Sequence, residues 1–590
     1  MRHITLHLSV VQINWQCDND KALEETMKFT EMKYERPDFK TVSGQYEVLL
    51  KDLEQAADAK SFAETFRKID DLHSQIMTMS TLCEIRHSIN TKDEFYDREN
   101  DYWDETHPLY AVYENRLSKI CLSCPFREEL YEYIPKTYFQ LAECNLKSFS
   151  EEIVPLLQQE NKLASEYGKL KASAQIEYDG QIYNLSTIST KAEDTDRNVR
   201  KGAMDAKLNF YAEHEAEFDR IYDGLVKVRT QIAKTLGYES FTELAYQRMT
   251  RLDYDRDMVA NYRRQILEDI VPSVCELYKR QAKRLGTDTV AYYDKAMDFA
   301  DGNPTPKGSY EDNIAAARTM YHEMSAETGE FIDVMIDNEL WDLKSRDGKQ
   351  MGGYCTSIPE YKVPFIFANF NGTSGDVDVL THEAGHAFQY YMARSIPVLD
   401  LQWPTMESAE IASMSMEFNA WPWAHLFFKE DTEKYQFHHL SGTLKFLPYG
   451  VLVDHFQHEI YDHPDWTPDE RKQCWRKLEQ QYEPYKDYTG APILEKGCWW
   501  YQQGHIFESP FYYIDYTLAQ VCALQFWARN HRQDPEAWND YVALCRLGGT
   551  KPFTELVRSA NLKVPFEDGC LKEVVTEIND YLDHIDDTAL

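Results

Sequence analysis

The sequence predicts a mainly α-helical fold with little β structure. Glycine and proline are scarce, at 24 and 22 of 590 residues, and so few turn-forming residues in a long chain favour long helices. Apolar residues recur at helical spacing, as at Tyr46, Leu50 and Leu53. A chain of this length exceeds the size of a single hydrophobic core, so we expect more than one lobe.

The charge balance and the cysteines limit the partners and the compartment. Asp and Glu number 99 against 63 Lys and Arg, a net charge of −36 that repels phosphates and anionic lipid headgroups. We therefore expect no nucleic acid and no membrane partner, and no run approaches the roughly 18 apolar residues of a membrane span. The 12 cysteines lack a disulfide-type pattern, so reduced thiols and a cytoplasmic location are predicted.

The first half of the chain combines helices with one hairpin. Residues 37–168 have the 3.6-residue period of helices. Short alternating runs flank Asp179 and Gly180, and this dipeptide between such runs is a strong hairpin signal. The sequence therefore predicts a β-hairpin over residues 174–185.

Helices resume after the hairpin and then give way to strands. Residues 341–369 lose the helical period and are predicted to form short strands. Everything after residue 373 returns to helices and irregular loops. The helical blocks between the hairpin and the strands are predicted over 194–236, 254–285 and 310–328.

A metal-binding motif follows the predicted strands. Thr373 and Asp376 have the spacing of a capping box, which predicts a helix start. Two turns on, the helix reads HEAGH at 382–386. His382 and His386 stack on one helical face and can reach a single metal ion. Glu383 lies about 100° round the helix, near the ion, where a carboxylate accepts the proton of a zinc-bound water.

A catalytic zinc usually takes three protein ligands, so a third is needed. The metzincin pattern fails because Gln389 and Met392 stand where it requires Gly and His. An acidic helical stretch further on offers Glu407, Glu410 and Glu417, of which the last two are seven residues apart and share a face. We choose Glu410 as the ligand and Glu417 as a partner that orients a ligand imidazole.

These motifs carry a family resemblance. The runs GYCTSIP, PFI, NFNGTSGDV, HEAGH and EIASM, followed by the segment 505–516, resemble the oligoendopeptidase F and thimet oligopeptidase family of zinc peptidases. The resemblance extends from about residue 27 to the C-terminus. It implies Glu410 as the third zinc ligand and cleavage of oligopeptides. It also implies a neurolysin-like, two-lobed helical shell around a deep channel, with a small β-sheet beside the active site.

The resemblance also implies a group of hydrogen-bond donors. A tetrahedral oxyanion on zinc needs donors opposite the metal, and Tyr hydroxyl and His N–H groups can supply them. By resemblance, His505 and one or both of Tyr512 and Tyr513 contact the substrate or the transition state. The pattern ranks the two adjacent tyrosines equally and places Tyr516 behind both.

Other histidines are interpreted as structural. His455 and His458 with Glu459 form a conceivable second metal site, but no nearby sequence completes it, and we expect hydrogen-bonded helix residues. His438 and His439 are adjacent and diverge on a helix, so we expect surface or packing roles.

The resemblance also suggests a division of the chain. Residues 1–26 fall outside it and are expected to be an N-terminal extension that packs poorly or is disordered. Residues 27–190 are predicted as a helical N-terminal lobe that ends in the hairpin. Residues 191–590 are predicted as the catalytic zinc-peptidase region.

The predicted function is zinc-dependent hydrolysis of internal peptide bonds, with one Zn²⁺ per chain and short peptides as substrates. Two alternatives from other classes stay open. One is a different zinc amide hydrolase, such as a deacylase, and the other is a metal-free helical binding scaffold.

Overall fold

The structure, a computed structural model, describes residues 27–590. The extension predicted at 1–26 lies outside the described residues. Helices dominate, and the strands of the described part form two small sheets. The predicted mainly α fold class with a small sheet is therefore confirmed. No helix within residues 27–590 is long and apolar enough to cross a membrane.

Six helices make up the first part of the described chain. The side chain of Asp38 caps α1 by accepting the backbone N–H of Thr41, and Asp58 caps α2 in the same way through Ser61. The apolar stripe predicted on α1 is buried. The helices are α1 (Phe39–Glu54), α2 (Ala59–Ile89), α3 (Glu94–Ser123), α4 (Arg127–Leu130), α5 (Lys136–Ser148) and α6 (Val154–Ala172).

The predicted hairpin is present. Strands β1 (Ile176–Tyr178) and β2 (Gln181–Tyr183) pair antiparallel. Asp179 and Gly180 both have positive φ, 48° and 71°, as the two central residues of a type I′ turn require.

Eight helices fill the region between the hairpin and the larger sheet. The block predicted over 194–236 is interrupted at His214, which divides it into two helices. Gly286 adopts the left-handed conformation at the end of α12, with φ 67°, as a C-terminal stop does. The helices are α7 (Leu185–Ser189), α8 (Arg197–Glu213), α9 (Glu215–Thr235), α10 (Phe241–Arg248), α11 (Arg256–Gln265), α12 (Val271–Leu285), α13 (Tyr310–Met324) and α14 (Ala326–Asp337).

The larger sheet has three strands in the predicted β segment: β3 (Trp341–Lys344), β4 (Tyr354–Ile358) and β5 (Val363–Phe370). Their order is β3-β5-β4, with β3 parallel and β4 antiparallel to β5. The central strand β5 is buried through Ala368. Strand β4 therefore lies at one edge of the sheet.

The remaining helices build the site. Helix α16 packs against both α15 and α22, and every residue from Glu407 to Met416 is buried. A helix this enclosed holds its side chains in fixed positions. The helices are α15 (Gly375–Ala393), α16 (Met406–Asn419), α17 (His425–Phe428), α18 (Thr432–Asp462), α19 (Pro468–Tyr482), α20 (Pro492–Glu495), α21 (Gly504–Glu508), α22 (Ile514–His531), α23 (Ala537–Leu547), α24 (Phe553–Ser559) and α25 (Cys570–Asp583).

Candidate active site

The loop between β5 and α15 is closed by the Asp376 carboxylate. Its two oxygens accept the backbone N–H groups of Asn371 and Gly372, each at 2.8 Å. The predicted capping box is wrong, because the Thr373 hydroxyl donates to Asn371 Oδ1 at 2.7 Å and the N-cap residue Ser374 makes no side-chain cap. The acidic side chain reaches back across the loop instead. It therefore ties the start of α15 to the end of the sheet.

Three predicted metal ligands converge beside this helix. The Nε2 atoms of His382 and His386 each lie 3.4 Å from Glu410 Oε2, and the candidate ligand atoms are all within 4.8 Å of one another. Two ligand atoms that are each about 2.1 Å from a tetrahedral zinc lie about 3.4 Å apart. The donor set, two imidazoles and one carboxylate, and its spacing therefore fit a zinc ion.

Gly385 permits the approach of α16 to α15. A Cβ atom at this position would lie 2.6 Å from the Cα atom of Ser413 and 2.8 Å from the carbonyl oxygen of Ala412. Cβ contacts this short do not occur in real structures, so only glycine allows this helix spacing. The glycine of the HEAGH run thus allows α16 to pack close to α15, which places Glu410 beside the two histidines.

Hydrogen bonds and charge fix the Glu410 carboxylate. Ser413 Oγ donates to Oε2 at 3.0 Å, and the Tyr512 hydroxyl donates to Oε1 at 3.2 Å. Burial opposes ionisation of Glu410, but the imidazoles of His386 and His382 outweigh it and lower the pKa of the carboxyl below its usual value. The Glu410 carboxyl group is therefore held in its charged form, which is the form that binds a cation.

A one-way chain of hydrogen bonds leads to His382. Trp421 Nε1 donates to His439 Nδ1 at 2.9 Å, and an indole N–H can only donate. The proton of His439 must then sit on Nε2, which donates to Glu417 Oε2 at 2.7 Å. The other oxygen of Glu417 accepts from His382 Nδ1 at 2.6 Å. This arrangement leaves the Nε2 lone pair of His382 directed at the cluster.

The sequence predicted Glu417 as a partner of a ligand imidazole but missed two other members of this hydrogen-bond chain, Trp421 and His439. His439 was interpreted as a surface or packing residue; its ring does pack, stacked against Phe418 and Tyr435. Its imidazole also bonds both Glu417 and Trp421, which the sequence did not indicate. Its neighbour His438 points elsewhere and bonds Asp298 at 2.7 Å. No spacing in the sequence connects α18 with α16, so the contact is visible only in the fold.

The aromatic group predicted from the C-terminal run lies beside the cluster. The Tyr512 hydroxyl touches Glu410, whereas Tyr513 packs edge-on against Phe446 at 5.9 Å between ring centroids. The ring of His505 lies 5.6 Å from that of Tyr512 and 4.8 Å from that of Tyr513. The structure thus brings Tyr512 nearest to the candidate metal ligands.

A left-handed residue sets the turn that precedes α22. Phe511 has φ 68° and is fully buried. Its backbone N–H donates to Gln457 Oε1 at 2.9 Å, and its carbonyl accepts from Arg251. These buried partners hold a backbone conformation that non-glycine residues rarely adopt. They thereby fix the turn from which Tyr512 reaches Glu410.

Besides burial, the Glu383 carboxylate contributes to raising the pKa of two groups, Cys355 of β4 and Tyr516 of α22. The pKa of the Cys355 thiol in β4 is raised well above its usual value, by burial first and then by the nearby Glu383 carboxylate. Strand β4 packs against α15. The free edge strand and the predicted general base therefore belong to one region of the molecule.

A cavity of about 490 Å³ opens on the other side of His382. Its walls come from α15, α16, α18, α21 and the beginning of α22. It includes His505, Tyr513 and Tyr516 besides His382. The candidate metal cluster thus borders a space large enough for part of a peptide.

Comparison with known proteins gives family matches over most of the chain. Residues 29–149 match the Peptidase M3 N-terminal domain, and residues 190–576 match Peptidase family M3. The structure of PZ peptidase A with an inhibitor is 51% identical, with a TM-score of 0.89, and the match covers 95% of this chain and 100% of that one. A putative oligoendopeptidase F from Bacillus anthracis str. Ames is 49% identical, with a TM-score of 0.85, over 96% of this chain and 99% of that one.

A more distant relative is oligopeptidase PepF of Bacillus subtilis. It is 20% identical over 420 residues, which are 66% of this chain and 58% of that protein. The match thus spans less than two thirds of that relative. The family match covers well over half of the present chain, and the resemblance inferred from its motifs is confirmed. The chain belongs to peptidase family M3, and it is a peptidase.

Proposed function

We propose that the protein is a zinc-dependent endopeptidase that hydrolyses internal bonds of oligopeptides. His382, His386 and Glu410 would hold the zinc ion. The observation that carries the proposal is the pair of 3.4 Å separations between the imidazole nitrogens and one Glu410 oxygen. Bound there, zinc would supply Lewis acidity that polarises the scissile carbonyl and lowers the pKa of water.

Glu383 is proposed as the general base. It follows His382 directly in α15, about 100° round the helix, so its carboxylate would lie near a metal-bound water and could accept its proton. The same carboxyl group can then pass this proton to the departing amine. A group used in this way contributes typically about 10²- to 10⁴-fold to the rate.

Tyr512, Tyr513 and His505 are proposed as donors to the oxygen that becomes negative during attack. Such donors are most effective when they are fixed in advance and shielded from water. Tyr512 has the strongest support because its hydroxyl already bonds Glu410 at 3.2 Å. Glu417 is proposed to orient His382 through the 2.6 Å bond to Nδ1.

The edge of β4 is proposed to bind the substrate backbone. An extended peptide can add to a free strand edge through main-chain hydrogen bonds. Within residues 27–590, strand β4 has β5 on one side and no further strand of its sheet on the other. Recognition of the backbone would leave sequence preference to pockets for the side chains.

Family membership favours a peptidase over the two alternatives, a deacylase and a metal-free scaffold. A cytoplasmic location remains part of the proposal. Its support is that the cysteines within the described residues, from Cys83 to Cys570, are free thiols, as in reducing compartments.

Two substitutions test the assigned roles. Glu383→Gln should retain zinc and lose about 10²- to 10⁴-fold in turnover of a quenched peptide. Glu410→Ala should lose both zinc and activity. Glu276→Gln, at an exposed residue of α12, is the matched control and should behave as the wild type. Normal turnover in Glu383→Gln, or full zinc occupancy in Glu410→Ala by elemental analysis, would refute the corresponding role.

A further inference from the structure

The cavity beside His382 is lined by both acidic and apolar residues. Asp378 and Glu417 are its carboxylates, and Met414, Phe446 and Tyr513 are among its apolar and aromatic residues. We infer that this cavity, here called the Asp378 pocket, binds a substrate side chain next to the scissile bond and selects a cationic one, lysine or arginine. The inference rests on the proposed endopeptidase function and adds to it a class of substrate.

The position of Asp378 on α15 places it within reach of such a side chain. It precedes His382 by four residues, so the two side chains stack on one helical face about 6 Å apart along the axis. A substrate whose scissile carbonyl lies at the metal cluster therefore has a neighbouring residue opposite this face. The carboxylate then meets the end of a long side chain rather than the peptide backbone.

The charges around the pocket are unbalanced. Among the described residues that line it, none is lysine or arginine. Asp378 Oδ1 accepts one long hydrogen bond, from the Tyr435 hydroxyl at 3.4 Å. The imidazoles of His438 and His439 already bond other carboxylates at 2.7 Å. Asp378 therefore lacks a cationic partner of its own in this cavity.

Burial of the Asp378 carboxylate changes its pKa. Burial, its largest cause, raises the pKa of Asp378 to about 6, because the charged form loses hydration and the nearby imidazoles of His439, His438 and His382 offset this only in part. A bound ammonium or guanidinium group would restore that lost interaction. Lysine and arginine also carry apolar stems below their charged ends, which matches the apolar residues that line the pocket.

The expected preference of the Asp378 pocket for lysine over a neutral side chain can be estimated. A hydrogen bond to a charged group contributes about 1.5–3 kcal/mol, which corresponds to about a tenfold to hundredfold preference for lysine over a neutral side chain with the same four-carbon stem. Norleucine is that neutral counterpart. It fills the apolar part of the pocket and leaves the carboxylate unpaired.

The test uses quenched peptides that differ at one residue on either side of the scissile bond, with lysine, arginine, norleucine or glutamate there. The measured quantity is the ratio of kcat/KM for the lysine peptide to that for the norleucine peptide. We expect a ratio of about 10 to 100 at one of the two positions in the wild type. In Asp378→Asn the ratio should fall towards one. Asp257→Asn, which removes an equal charge from an exposed position on α11, should keep the wild-type ratio.

The outcomes separate this inference from the proposed function. A wild-type ratio near one at both positions overturns the pocket assignment, and this measurement does not depend on how the variant folds. A wild-type ratio that persists in Asp378→Asn overturns the role of Asp378. Cleavage that resists chelators would instead refute the zinc endopeptidase proposal. Chelator-sensitive cleavage without a lysine preference refutes the pocket alone.

Discussion

Replacing Gly385 with alanine tests whether the close packing of α15 and α16 places the candidate ligands. The added methyl group would lie 2.6 Å from the Cα atom of Ser413 and 2.8 Å from the carbonyl oxygen of Ala412. Nonbonded carbon atoms prefer about 3.5–4.0 Å, so the helices must separate by about 1 Å. The contacted atoms belong to the backbone of α16, and a change of side-chain rotamer does not relieve the clash.

The substitution has two opposing effects on stability. Glycine inside a helix costs about 1 kcal/mol relative to alanine, whereas overpacking costs typically about 1–3 kcal/mol. We expect a net loss of up to about 2 kcal/mol. Zinc binding should suffer more, because Glu410 lies on the displaced helix and metal–ligand distances are defined to about 0.2 Å. Gly385→Ala should therefore bind zinc more weakly than the wild type.

The assay is competition for zinc with a chromophoric chelator, combined with the unfolding midpoint of the metal-free protein. Gly44→Ala in α1 is the matched control, because no atom lies within 4 Å of the added Cβ atom there. That variant should keep the zinc affinity and gain about 0.5–1 kcal/mol of stability. Unchanged zinc affinity and midpoint in Gly385→Ala would show that the helix spacing does not set the ligand geometry.

Further expectations concern the surrounding side chains. His439→Phe removes the donor to Glu417 and should weaken zinc binding about tenfold to a hundredfold in the same competition assay. Trp421→Phe removes the N–H group that sets the His439 tautomer, together with part of the aromatic ring, and should have a smaller effect on zinc affinity. Equal zinc affinities in all three proteins would contradict the hydrogen-bond chain. Burial, with the charge of Lys171, lowers the pKa of His505, so the imidazole stays neutral below the usual value of about 6.5 and gains its proton as the pH falls further. Lys171→Met should raise this pKa and move the acid limb of kcat/KM to higher pH, whereas an unmoved limb would assign it to another group.

The elements that the sequence predicted correctly are those with a local cause. The hairpin follows from two residues that tolerate positive φ, Asp179 and Gly180. The helices follow from periodic apolar positions, and the strands from the loss of that period. The predicted capping box at Thr373 and Asp376 was wrong because its spacing does not fix where the carboxylate points. The Asp376 side chain can bond the start of its own helix or the loop before it, and it bonds the loop.

The candidate site also contains some features that follow from local sequence and others that depend on contacts between distant residues. The approach of His382 to His386 follows from helix geometry, and the choice of Glu410 needed the family resemblance as well as spacing. The order of Tyr512 and Tyr513 depends on the turn at Phe511, which buried groups from distant helices hold in place. Such contacts join residues far apart in the chain and leave no periodic signal in the sequence.

The enclosure of α16 has a consequence for how the enzyme matures. Its residues from Glu407 to Met416 are buried against neighbouring helices, so apolar packing holds the Glu410 segment in place without help from an ion. Small zinc domains, in contrast, remain unfolded until the metal binds. Here the polypeptide can complete its tertiary structure first and acquire the ion afterwards. Stripping and reloading should then be reversible, and metal supply would regulate activity without regulating protein abundance.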